Sequence, residues 1–162
     1  PLTSPPEQKA LPAPVISSEP TSGSSPLRLI IRRSAGVIPA PIPAGTRAIV
    51  IVLDGQRLPP LSNSSGNPPA FPRAGNTKLL ENDRVVVWQS EWATGVPTPL
   101  HFHDRDLVAV VMEGGEIEST TPDGRRQVTR IARGEASFAP GNRAHSERRV
   151  SGTPRAILVE LK

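Results

Sequence analysis

The sequence predicts an all-β domain, and three observations carry that prediction. The 162 residues include 20 prolines and 13 glycines, too many turn formers and helix breakers for a helical bundle. Apolar residues after position 84 fall in short runs, the length of strands rather than of helices. Between those runs stand turn signals such as Asp123-Gly124 and Pro140-Gly141-Asn142. Hydrophobic residues make up 36% of the chain and concentrate after Leu27, so a single core is expected there and not along the whole length.

Taken in order, residues 1–26 combine Pro, Ser and Thr with few large apolar side chains. Such a segment cannot bury enough surface to offset the ordering of its backbone, and it reads as a disordered Pro/Ser-rich leader or arm. Residues 27–83 read as N-terminal strands and Pro-rich loops. A strand is expected over 27–33 (LRLIIRR), Pro39, Pro41 and Pro43 interrupt any ladder, and 48–53 (AIVIVL) resumes one. Residues 56–80, with five prolines, read as a surface arm. Residues 84–162 form the regular part, with strands expected at 85–92, 107–112, 116–121, 127–132, 135–139, 146–150 and 155–161. Gly114-Gly115, Asp123-Gly124, Pro140-Gly141-Asn142 and Gly152-Thr153-Pro154 are the expected turns. Many short strands at this spacing point to a sandwich or a closed barrel. A shift of 59 residues also lays Gly36-Val37 on Gly95-Val96 and Val52-Leu53-Asp54-Gly55 on Val111-Met112-Glu113-Gly114, which raises a degenerate duplication as one reading of 27–83.

Charge and composition exclude several function classes. The net charge of +4 comes from 16 arginines and three lysines scattered among acidic residues, with no basic stripe. With three Phe, two Trp and no Tyr, the stacking platform that single-stranded nucleic acid needs is missing. No run approaches the ~18 apolar residues of a membrane helix, so the expectation is a soluble, bacterial-type protein without a membrane span. The chain starts at Pro1 rather than Met and holds no Cys, which leaves a cytoplasmic location and export after removal of a signal equally open.

The chemistry concentrates on the three histidines of the chain. His101 and His103 stand one residue apart in GVPTPLHFHDRDLVAVVMEG, residues 95–114. On a strand, alternation puts both imidazoles on one face. Neutral imidazoles supply nitrogen ligands at about 2.0–2.1 Å without prior deprotonation near pH 7. His145 lies on a different expected strand, so three ligands from two strands can cap one face of a metal ion and leave its other positions open.

These residues resemble the cupin superfamily, whose first motif is G-x5-H-x-H-x3-4-E-x6-G and whose second is G-x5-P-x-G-x2-H-x3-N. Gly95, His101, His103 and Gly114 fall on the first motif, and Gly134, Pro140 and His145 on the second. The motifs span residues 95–149, and the flanking strands extend the likeness to roughly 84–162. The resemblance implies a jelly-roll β-barrel, or double-stranded β-helix, with His101, His103 and His145 as metal ligands. Where the family places a glutamate ligand this chain has Leu107 or Val108; Asp106 comes one residue early and points to the opposite face unless a bulge re-aims it. Asn142 replaces the motif glycine, which Asn tolerates because it enters the left-handed region readily. Arg149 replaces the motif asparagine.

Alternation from His145 also directs Glu147 and Arg149 into the barrel, where charge needs a partner. One reading is an internal pair of Glu147 with Arg149 or Arg148. The other is substrate binding, in which Arg149 grips the carboxylate of an anionic ligand in two-pronged fashion, beside Glu147 and Trp88. Trp88 and Trp92 share a strand parity, and both pocket wall and core are open to them. The resemblance implies one divalent transition metal, iron(II) favoured, with zinc, manganese, nickel or copper as alternatives, and a three-histidine enzyme similar to cupin dioxygenases. A non-catalytic ligand-binding or sensing cupin and a scaffold barrel are the alternatives. The expected partners are a small-molecule ligand and a second copy of the chain, since edge strands and arms of cupins commonly pair across a two-fold axis and the 27–33 strand needs a neighbour.

Overall fold

A computed structural model describes residues 15–18, 27–32, 43–53 and 57–162, in two units, Pro1–Asp54 and Gly55–Lys162. Every regular element among the described residues is a strand, and no helix there is long and apolar enough to cross a membrane.

In the first unit, β1 (Val15–Ser18), β2 (Leu27–Arg32) and β3 (Arg47–Val52) form a three-stranded sheet in the order β1-β2-β3. The β1 ladder with β2 is antiparallel and the β2 ladder with β3 is parallel. Two expectations change here. Four residues inside the stretch read as a disordered leader form a strand, because pairing with β2 satisfies backbone groups that a free edge would leave open; the rest of that leader lies outside the described residues. The neighbour that the 27–33 strand needs is supplied on both sides from within the chain. The parallel β2–β3 ladder has no counterpart among the named strands of the second unit, whose ladders are all antiparallel.

The second unit holds β4 (Asn76–Glu81), β5 (Val85–Glu91), β6 (His101–His103), β7 (Leu107–Thr120), β8 (Arg126–Ile131), β9 (Ala136–Ala139) and β10 (Arg143–Leu161). The path β4-β5-β10-β7-β8 runs through them, with β6 added to β10 and β9 to β7. Two long strands organise the barrel. β10 pairs with β6 near its start, with β7 along most of its length and with β5 over Arg155–Leu161. β7 pairs with β9 through Leu107–Val110 and with β8 through Gly115–Thr120.

Both long strands run through positions expected to be turns. Gly114-Gly115 lies inside β7, Gly152-Thr153-Pro154 lies inside β10, and Gly115 faces Gly152 across the ladder. The glycines are there for close approach: a Cβ on Gly115 would sit 2.5 Å from the Ser151 carbonyl oxygen, and one on Gly152 would sit 2.8 Å from the Gly115 Cα. Register shifts at Arg149/Ser151 and Gly152/Arg155 bend the ladder at this point. The strand pairs on either side of the bend therefore wrap around one interior instead of extending as a flat sheet. The Asp123-Gly124 turn forms where expected, closing the β7–β8 hairpin with Gly124 at φ 83°.

The core follows from the apolar runs. Phe71, Val86, Trp88, Trp92, Leu107, Ile117, Ala156 and Leu158 form one buried cluster, each large side chain contributing about 1.5–3 kcal/mol relative to exposure. The alternate residues Val85, Val87, Val110, Ile157 and Val159 are also buried, so VVVW and AILV read as continuous apolar strands because both of their faces are covered. The Pro-rich stretch is not wholly a surface arm. Residues 57–67 are mostly exposed, but Ala70 and Phe71 are buried and the chain is pinned to β6 by hydrogen bonds from Ala70 N to Phe102 O and from Phe102 N to Pro68 O. This places Arg73 beside the histidines.

Candidate metal centre

Strands β6 and β10 bring the three histidines together by register. His101 is the direct cross-strand partner of His145, and His103 lies opposite Arg143, so alternation presents all three imidazoles on the inner face. The rings are buried and mutually edge-on, with centroids 4.8–5.1 Å apart. One nitrogen from each lies within 4.8 Å of the others, and His103 Nε2 is 3.1 Å from His145 Nε2. Two nitrogens that each sit about 2.1 Å from one ion are about 3.0–3.5 Å apart. The His103–His145 pair has that spacing, and the three histidines together form a group that could hold a metal ion.

The surroundings hold the rings and keep them neutral. His101 Nδ1 is 2.8 Å from the Pro99 carbonyl oxygen and so donates to it, which leaves Nε2 as the lone-pair nitrogen. His145 Nδ1 lies 3.0 Å from Ser119 Oγ, while His103 Nδ1 is buried without a hydrogen-bond partner. Burial, reinforced by Arg73, pushes the His101 imidazole down to about 4. Burial, reinforced by Arg143, pushes His145 to about 4 and His103 to about 2. Uncharged imidazoles are the form that coordinates metals. Arg73 Nη1 donates to His101 Nε2 at 3.1 Å, so an ion held by that nitrogen would have to take the place of this hydrogen bond, and the Arg73 pair with Glu147 would remain.

Glu147 is the carboxylate of the site. Its Oε2 accepts from Trp92 Nε1 at 3.0 Å and pairs with Arg73 Nη2 at 3.5 Å, and its Oε1 lies 4.0 Å from His145 Nε2. The expected partner for Glu147, Arg148 or Arg149, is thus replaced by Arg73. Arg148 instead makes a two-pronged pair with Glu118, and Arg149 donates to Thr94 Oγ1. The register shift after Arg149 ends strict alternation at that residue.

A cavity of about 280 Å³ opens beside the triad. Leu107, Ala109, Val111, Ala156 and Leu158 give it an apolar wall; Arg73, Trp92, His103, Arg143, His145 and Glu147 give it a polar one. Leu107, one of the two positions aligned with the motif glutamate, is an apolar part of the cavity wall, and Asp106 Oδ1 accepts from the Gly141 amide at 2.7 Å, capping the turn before β10. Among the described residues no carboxylate joins the three-histidine group. Of the residues expected to bind substrate, Glu147 lines the cavity, whereas Arg149 and Trp88 are not part of its lining. Trp88 packs in the core, stacked on Phe71 with 5.0 Å between centroids, and donates to Glu160 Oε2. Arg73 and Arg143 went unseen in the sequence. Arg143 had a signal, since it shares strand parity with His145 and Glu147; Arg73 sits in a loop without periodicity and had none.

No protein-family model matches the chain. It is 33% identical over 82 residues to the beta-alanine degradation protein BauB of Pseudomonas aeruginosa, a match that covers 51% of this chain and 81% of that protein. A cupin domain from Bordetella pertussis Tohama I superposes with a TM-score of 0.50 and 28% identity, over 59% of this chain and 96% of its own. An RmlC-like cupin with a double-stranded β-helix fold from Methanocaldococcus jannaschii gives a TM-score of 0.45 and 17% identity, over 53% and 77%. With two histidines on one motif, the third on the other and a barrel that joins them, the chain belongs to the cupin superfamily.

Proposed function

We propose that His101, His103 and His145 hold one divalent transition metal, iron(II) first with zinc, manganese, nickel or copper as alternatives, in a dioxygenase-type enzyme acting on a small anionic organic molecule. The observation that carries this reading is the convergence of three buried, neutral imidazoles on one point at the wall of a cavity. A bound divalent ion would act as a Lewis acid and attract anions, because three neutral ligands leave its charge uncompensated. The chain's own residues support the remaining steps: the Pro99 carbonyl and Ser119 orient two of the ligands, and Trp92 with Arg73 holds the Glu147 carboxylate beside them. The related BauB takes its name from the degradation of β-alanine, itself a small carboxylate-bearing molecule. The proposal includes a homodimer, for which the outer edges of β1 and β3 in the three-stranded sheet are suited to pairing.

Elemental analysis of protein purified without a His-tag tests the reading. Wild type is expected to carry stoichiometric metal and the His101→Ala/His103→Ala double variant to carry none; metal retained by the variant overturns the site. Oxygen uptake by the iron-loaded protein with a panel of small organic acids tests turnover, and ligand-induced stabilisation without product would favour a sensor instead.

A further inference from the structure

The cavity holds more positive charge than the metal centre accounts for. Arg73 and Arg143 both line it, with Glu147 as the one carboxylate in the lining. Arg73 is provided for: it donates to the Ala70 carbonyl, pairs with Glu147 and lies over the Phe71 ring at 5.1 Å. Arg143 is not. Its Nε is buried and has no hydrogen-bond partner. A guanidinium cannot shed its proton in a protein, so a buried one calls for an acceptor.

Position adds to the argument. Arg143 opens β10 two residues before His145, on the same inner face, and is the ladder partner of His103. Arg143, His103 and His145 therefore line one small volume together. Of the remaining lining, Leu107, Ala109, Val111, Ala156 and Leu158 offer apolar contact, and Ser119, Thr129 and Ser137 add hydroxyls. At about 280 Å³ the space lies at the small end for ligand pockets.

We propose that Arg143 anchors a carboxylate subsite, gripping the carboxylate of a short aliphatic acid whose hydrocarbon part lies against the Leu107–Leu158 wall. This rests on the small-anion reading of the cavity but not on the metal. A guanidinium fork matches a carboxylate with two parallel hydrogen bonds, and the Leu107–Leu158 wall suits a hydrocarbon chain.

The test is calorimetric titration with propionate and with its neutral isostere propionamide, on chelator-treated and zinc-loaded protein. Wild type is expected to bind propionate in both states and propionamide at least about ten-fold more weakly, the discrimination of a charge-assisted hydrogen bond. Arg143→Gln is expected to lose about ten-fold or more in propionate affinity while keeping its zinc affinity. Arg143→Lys, which keeps the charge but not the fork, is expected to fall between and serves if the glutamine variant does not fold. Equal propionate affinity in wild type and Arg143 variants, or equal binding of acid and amide, overturns the subsite. A chain that binds propionate through Arg143 but takes up no metal would instead sink the metal reading and leave this one standing.

Discussion

At the scale of single residues, the buried charges set what pH does to this fold. Glu160 is 8% exposed, and its Oε2 accepts from Trp88 Nε1 at 2.7 Å. Burial raises its carboxyl above the ordinary value and outweighs the opposing Trp88 hydrogen bond. The folded state therefore holds this proton more tightly than the unfolded chain does. The stability it brings is fully present below the ordinary value of 4.5 and is lost as pH rises through the folded value. Glu160→Gln stays neutral throughout and still accepts the indole N–H. Urea midpoints are expected to coincide for the two proteins near pH 4 and to favour the glutamine variant at pH 8; a difference independent of pH would reject this account. Asn142 shows the residue scale at its most legible: it takes φ 56°, the left-handed conformation expected of the residue that replaces the motif glycine. Arg73 shows where legibility ends. Its place beside His101 depends on backbone pairing of the loop with Phe102, a tertiary fact with no local pattern behind it.

At the scale of elements, the decisive feature is the crossing of β7 and β10 at Gly115 and Gly152. A glycine pair beside short apolar runs reads locally as a turn, because the same freedom of φ serves a turn and a bulge. What distinguishes them is the opposite strand, which sequence alone does not place. Gly152 and Gly124 both have positive φ, but a Cβ at Gly124 meets open space whereas one at Gly152 meets the Gly115 Cα and the Gly114 carbonyl oxygen. Gly124→Ala is expected to cost about 1–2 kcal/mol for the backbone conformation. Gly152→Ala should cost at least about 1 kcal/mol more for the collision, read from denaturant midpoints. Equal costs would mean that the strands are free to separate at the bend. The histidine pair was readable for the converse reason: spacing of two on a strand fixes the face whatever the strand's partners are.

At the scale of the molecule, the proposed metal site would link metal to fold, because its three histidines come from two strands. An unfolded chain does not hold the triad together, so metal binding is also stabilisation. Zinc at about 100 times its dissociation constant is expected to add about 2.7 kcal/mol, or roughly 5–11 °C in Tm for a chain of this size. The His101→Ala/His103→Ala variant should show no shift, and an equal shift in both would place the zinc elsewhere. The site has a further property of registration. His101 faces His145 and His103 faces Arg143 over a β6 of three residues. Because side chains alternate, a slip of β6 by one residue would turn Phe102 inward and both histidines out. A chain paired one step wrong could keep its strands and much of its core and still be unable to take up an ion. Metal uptake at the proposed site would thus be a proofreading signal for the fold, reporting on a pairing error of about 3.3 Å that strand content alone would miss.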